Sequence, residues 1–259
     1  MPEDSRSIEL EVEVEGTPEE VWRAIATGPG ISSWYVPHSV EEHEGGAAIA
    51  SFGAGPEMQM PGRVAAWDPP HRVVFDGGEG VEGLAFEWLI EAKDGGTCIV
   101  RLINSGFASG TDWDDQYDAM TDGWGMFMFN LQQHLLHFGG ESATPMLPMA
   151  QWVGPRENAL TRLFETIGLP ASPSVGDSVT TSGVNVPEFA GTIERVEPWH
   201  IVLKLESPCA GTALLAAEGK GEEVSASVWA YFYGPDQAEI AERQQARWQK
   251  LLDADPRQR

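Results

Sequence analysis

Residues 117–138 read Tyr117-Asp-Ala-Met-Thr-Asp-Gly-Trp-Gly-Met-Phe-Met-Phe-Asn-Leu-Gln-Gln-His-Leu-Leu-His-Phe138. Tyr117, Met120, Trp124, Phe127, Met128, Leu131, Leu135 and Phe138 recur at steps of three and four, which is the period of an amphipathic helix. Asp118, Asp122, Asn130 and Gln133 fall largely on its other side. Upstream the pattern changes to short apolar runs at 39–44, 47–52, 60–68, 72–76, 84–92 and 97–105. Gly45-Gly46, Gly53 to Pro56, Pro69-Pro70, Gly77-Gly78 and Asp94 to Gly96 separate them. Connections this short join antiparallel neighbours, so the runs predict a meander. A curved antiparallel sheet leaves a concave face to cover, and a long amphipathic helix following the strands can cover it. A sheet wrapped on one helix also leaves a gap between them, the natural place for a ligand.

Working outward, Ile8, Leu10, Val12 and Val14 alternate with Glu9, Glu11, Glu13 and Glu15, a strand with one buried and one acidic face. Thr17, Pro18 and Glu20 form a helix start with a capping box. Val21, Trp22 and Ile25 give that helix its apolar side, and Gly28-Pro29-Gly30 is expected to stop it. A short helix or turn then leads to Trp34 and Tyr35.

After Gly139 the composition shifts. Residues 142–148 read as a linker with two prolines. A helix over Ala159 to Ile167 follows, then strands near 177–181, 191–196, 201–206, 212–218 and 223–232, then a helix over 235–253. There is an internal echo. The stretch from Gly62 to Asp76 matches the stretch from Gly191 to Leu205, aligning Pro69 with Pro198 and His71 with His200. Two regions are therefore expected, 1–140 and 150–255. The second reads as a shortened copy with no leading strand. Its bare sheet surface needs a cover, either the first region or a second chain in a symmetric dimer.

The chain has 259 residues with a formal charge of −24. Such a surface repels phosphate backbones and anionic lipid, so neither nucleic acid nor membrane is an expected partner. Two cysteines make no disulfide scaffold. With no signal peptide or span in view, cytoplasm is the default.

The first 138 residues resemble the SRPBCC (START-like, Bet v 1-like) superfamily, in the branch of activator of Hsp90 ATPase homologue 1-like proteins. The resemblance rests on Thr17-Pro-Glu-Glu-Val-Trp-Arg-Ala-Ile with Ile31-Ser-Ser-Trp-Tyr, and on the stretch from Gly62 to Phe75. Phe86-Glu-Trp-Leu-Ile, Gly96-Thr-Cys-Ile-Val-Arg-Leu and Gly123-Trp-Gly complete it. It implies an α+β helix-grip fold, a curved antiparallel sheet wrapped around a long C-terminal helix. A smaller related α+β region follows. Members of the superfamily bind lipids, hormones or polyketides; some are cyclases and some cooperate with chaperones.

Ten Trp and ten Phe supply rings for a cavity wall. The ligand-binding candidates are Trp34, Tyr35, Phe52, Met60, Phe75, Phe86, Trp88, Asn104, Trp113, Tyr117, Trp124 and Met128. Phe86 and Trp88 share one strand face. Arg101 and Asn104 differ in parity, so at most one faces inward, and an inward Asn104 could fix a polar group of the ligand. His134 and His137 lack a third metal ligand. Asp112, Asp114, Asp115 and Asp118 read as charges complementing a helix start. No nucleophile elbow, Walker loop or dinucleotide fingerprint is present, and neither metal nor cofactor is expected. Three functions stay open: binding of a small apolar or aromatic molecule, a cyclase-like or hydrolytic enzyme, and a chaperone-linked interaction module.

Overall fold

The computed structural model describes residues 6–53, 55–78, 83–107 and 111–254, the side chains of 111–116 excepted. The chain divides into two compact units, Met1–Ser142 and Ala143–Arg259.

In the first unit β1 (Arg6–Glu15) leads into α1 (Pro18–Ala26) and α2 (Gly28–Ile31). The meander follows as β2 (His38–Val40), β3 (Ala47–Ser51), β4 (Gln59–Asp68), β5 (Arg72–Asp76), β6 (Ala85–Ala92) and β7 (Thr97–Phe107). The long helix α3 (Thr111–Phe138) closes the unit. The antiparallel sheet runs β1-β7-β6-β5-β4-β3-β2. Ile8 and Val14 of β1 are buried, while Glu11 and Glu13 pair with Arg101 and Lys93 at 2.7 and 3.0 Å on the exposed face. Thr17 and Glu20 make the capping box in both directions.

Gly28-Pro29-Gly30 does not end the helical stretch; it forms α2. Thr27 caps both helices, donating from Oγ1 to the Arg23 carbonyl and accepting from the Gly30 N–H. A Cβ on Gly30 would stand 1.8 Å from the Arg23 carbonyl oxygen, so only glycine lets the chain fold back this tightly.

α3 runs beside β1 and in the same direction. Tyr117 Oη donates to the Ser7 carbonyl at 3.1 Å, and Gln132 Nε2 to the Glu13 carbonyl at 2.8 Å. β1 is a sheet edge, so these bonds satisfy edge carbonyls that would otherwise invite another strand. The expected apolar stripe of α3 is buried at Trp124, Phe127, Met128, Leu131, Leu135 and Phe138. Burial extends further than the stripe. Asn130 and Gln133, read as outer residues, are buried too, and Asn130 Nδ2 donates to the Trp34 carbonyl. A polar residue at that position ties the helix to the turn that carries Trp34.

The second unit repeats this plan with one strand fewer in its meander. β8 (Thr144–Met146) and β9 (Met149–Val153) pair with successive parts of β14 (Glu223–Phe232). Between them come α4 (Arg156–Ile167), β10 (Ser178–Thr180), β11 (Ala190–Glu197), β12 (His200–Ser207) and β13 (Gly211–Glu218); α5 (Gln237–Leu252) closes the unit. The order β8-β14-β13-β12-β11-β10 mirrors the first sheet. Residues 142–148 are therefore not a linker, and the leading strand is present. Its two prolines disguise it. They are tolerated because the strand lies at an edge, where a missing donor costs little.

The echo is structural. Gly62 and Gly191 both lie under a neighbouring carbonyl, where a Cβ would come within 2.6 Å of Asp76 O and 2.1 Å of Lys204 O. β4 bulges between Val64 and Ala66, and β11 between Ile193 and Arg195, at aligned positions. One alignment is corrected. Asp68 pairs with Arg72 across three intervening residues, whereas Glu197 pairs with His200 across two. The second turn is one residue shorter, so His200 corresponds to Arg72 and not to His71.

Gln249 of α5 clamps β9 as Gln132 clamps β1: its Nε2 donates to the Met149 carbonyl at 2.8 Å and its Oε1 accepts from the Met149 N–H at 3.2 Å. Gln245 Oε1 accepts from the Leu147 N–H. Gln249→Leu is expected to raise hydrogen exchange at the Met149 amide by about tenfold, the value of a typical hydrogen bond. Amides of β13 should keep their protection.

His134 is buried on α3, and burial pushes its pKa down to about 4. The unfolded chain, near 6.5, therefore takes up the proton first as pH falls. His134 costs nothing above about pH 6.5, and stability is lost progressively toward pH 4, by about 3 kcal/mol in all. Denaturant titrations at pH 7 and pH 4 should show this loss reduced by a similar amount in His134→Phe.

Candidate functional site

The inner face of the first sheet is unevenly filled. The first strands carry small residues at inward positions: Ala48 and Ala50 on β3, Gly62 on β4. Register places Ala48 beside Gly62 and Ala50 beside Met60. Further along the sheet stand Phe75, Phe86 and Trp88. Small residues facing large rings leave a void, and a cavity of about 320 Å³ lies there.

Trp124 of α3 lines it. Its ring lies 5.0 Å from Tyr35, 5.7 Å from Phe86 and 5.6 Å from Trp88. Trp34 meets Trp88 edge-on at 5.6 Å, and Phe52 meets Tyr35 at 6.3 Å. Such edge and tilted contacts are favourable for aromatic rings. Two indole N–H groups are used within the wall. Trp34 Nε1 donates to the Ala24 carbonyl at 2.8 Å, and Trp124 Nε1 to Asn104 Oδ1 at 3.3 Å.

Of the sequence candidates, Trp34, Tyr35, Phe52, Met60, Phe75, Phe86, Trp88 and Trp124 line the cavity. Met60 is 58% exposed, placing it at the solvent side. Three candidates stand elsewhere. Asn104 does face inward, but it is fully buried beneath Trp124. Its Nδ2 donates to the Ala85 carbonyl at 3.1 Å while its Oδ1 holds the Trp124 indole, so it positions the wall. Tyr117 packs on Phe107 at 5.2 Å with its hydroxyl on β1, and Met128 is core. They share the helix's apolar side with Trp124 but not its level along the axis. The side chains of Asp112, Trp113, Asp114 and Asp115 lie outside the described residues.

The sequence reading missed Ala48, Ala50, Gly62, Leu84, Ile25, Ile31 and His38, all of which line the cavity. Alanines at alternate positions of a strand opposite many aromatics were the available signal for the floor. His38 had none; a single histidine after Pro37 is unremarkable in sequence.

Asp76 and His38 also belong to the wall. Asp76 pairs with Arg63, Oδ1 to Nε at 2.9 Å, and also accepts from the Gly78 N–H. These contacts, the Arg63 hydrogen bond foremost, hold its pKa below the usual carboxylate range. The pair is partly exposed and contributes little to stability. His38 Nδ1 lies 2.8 Å from the Val36 carbonyl. Burial lowers its pKa, opposed by that hydrogen bond, so the ring is neutral at pH 7. Among the described residues no cluster of three His, Cys, Asp or Glu could hold a metal ion. No helix there is long and apolar enough to cross a membrane.

The family model of activator of Hsp90 ATPase homolog 1-like protein matches residues 15–135. Comparison with curated proteins gives no match. Among solved structures, the Aha1 dimer of Colwellia psychrerythraea is 18% identical at a TM-score of 0.43, covering 50% of this chain and 96% of its own. MLL2253 of Mesorhizobium loti is 19% identical at 0.44, over 51% and 98%. The di-domain ARO/CYC BexL of the BE-7585A biosynthetic pathway is 14% identical at 0.43, over 97% and 100%. Residues 15–135, within the first unit, are thus similar to the activator of Hsp90 ATPase homolog 1-like family.

Proposed function

We propose that the first unit binds a small apolar, aromatic molecule in its internal cavity. Kinship with the superfamily points more broadly to small-molecule or protein binding. The observation that favours the finer reading is the cavity itself, about 320 Å³ walled by Trp34, Tyr35, Phe75, Phe86, Trp88 and Trp124. Ligand pockets span roughly 300–1,000 Å³, so this one suits a molecule of two or three fused rings. Ring faces offer area and edge-to-face contact without demanding charge.

The floor provides the test. Ala50 is small, lines the void and sits on the short strand β3, next to the edge strand β2. Ala50→Phe should place a ring where the ligand's would be. Wild-type protein titrated with the neutral fluorophore N-phenyl-1-naphthylamine is expected to show saturable binding with a Kd on the order of 10 µM. Ala50→Phe should weaken it at least tenfold with an unchanged far-UV circular dichroism spectrum. Absence of saturable binding to the wild type, or equal binding to the folded variant, would refute the proposal.

A further inference from the structure

His38 is held from three sides. Its backbone N–H donates to Ser32 Oγ at 2.9 Å, and Ser32 Oγ in turn donates to the Gly28 carbonyl at 2.7 Å. Its ring lies 5.7 Å from Tyr35, and Nδ1 is 2.8 Å from the Val36 carbonyl. A carbonyl only accepts, so Nδ1 carries the hydrogen. In the neutral ring Nε2 is then a bare lone pair, and it has no hydrogen-bond partner among the described residues. The tautomer is fixed by the backbone and not by any ligand.

Three other polar groups of the wall are engaged within the protein. The Trp34 and Trp124 indoles donate within the protein, and Asp76 is engaged by Arg63 and Gly78. Resting on the cavity reading above, we infer that His38 Nε2 is a preorganised acceptor selecting a neutral aromatic ligand that carries a hydrogen-bond donor, a phenolic O–H or a ring N–H. Anionic ligands are disfavoured twice: a lone pair faces them, and the chain's formal charge is −24. A ligand of the same size without a donor removes water from Nε2 and gives nothing back, which is the costly case for a buried polar group.

The probes are 2-naphthol and 2-methoxynaphthalene, which share a ring system and differ in the donor. Wild-type protein should bind 2-naphthol about tenfold more tightly, the ratio set by one buried hydrogen bond. In His38→Phe the preference should fall below about twofold, because 2-naphthol loses its acceptor and 2-methoxynaphthalene no longer strips water from one. His38→Gln keeps an acceptor and should recover part of the preference. A measurement on the wild type avoids any folding defect: the His38 Nε2 resonance in nitrogen-15 spectra should move upfield on adding 2-naphthol, which donates to it, and downfield with 2-methoxynaphthalene, which leaves it without a donor. Equal affinity for both probes, or an unmoved Nε2 resonance with 2-naphthol bound, overturns this inference and leaves the cavity reading standing. Binding of neither probe overturns the cavity reading itself.

Discussion

The closing helix of each unit is tied to the edge strand that opens it, and the rest of the fold depends on that tie. In the first unit Gln132 and Tyr117 donate to carbonyls of β1; in the second Gln249 and Gln245 bond the backbone of β9 and of the segment before it. Trp152 Nε1 adds a bond to the Leu252 carbonyl at the end of α5. A strand at a sheet edge exposes unpaired backbone groups. Satisfying them from the helix protects the edge and fixes the helix over the concave face. The strand itself is brought there by pairing with the last strand of the meander, β1 with β7 and β8/β9 with β14. Long-range pairing therefore comes first in the logic, and the helix seals it.

Within that frame, side-chain size at a few inward positions decides whether a unit holds a void. Register equates Ala48 beside Gly62 with Val179 beside Gly191. At the position of Met60, 58% exposed, the second unit has Phe189, 1% exposed. The Phe189 ring lies 4.8 Å from Trp248 and 6.2 Å from Phe232. It belongs to a continuous core with Trp152, Phe164 and Ile193. One scaffold thus carries two interiors. Close packing is the default state of a protein interior. The first unit departs from it by placing Ala48 where the second places Val179, and by leaving Met60 exposed where the second buries Phe189.

Polar residues inside the first unit serve the wall. Asn104 spends both ends of its amide on Trp124 and Ala85, and Asn130 spends its Nδ2 on Trp34. A buried amide with both ends bonded, as in Asn104, is specific about geometry. Asn104 and Asn130 hold the rings that surround the cavity at fixed distances. Cys98 is fully buried, donating to the Gly16 carbonyl at 3.3 Å, and burial raises its pKa. It acts as a small core side chain beside the helix start.

Periodicity and turn chemistry are local properties, and the sequence alone determined what depends on them. The meander, the capping box at Thr17, the long closing helix and the repeat marked by Gly62 and Gly191 could all be read from neighbouring residues. So could seven of the rings that line the cavity, because clustered aromatic residues announce themselves. Other features depended on pairing across distance. Residues 142–148 became strand only because β14 offers an edge where proline is harmless. Asn104 became a support and not a ligand contact because β6 and α3 supply its partners. His38 reached the cavity because Ser32 and Val36 fix its backbone and ring. No local pattern encodes a void, since a void is the space that distant side chains fail to fill, and only the tertiary structure decides where that space lies.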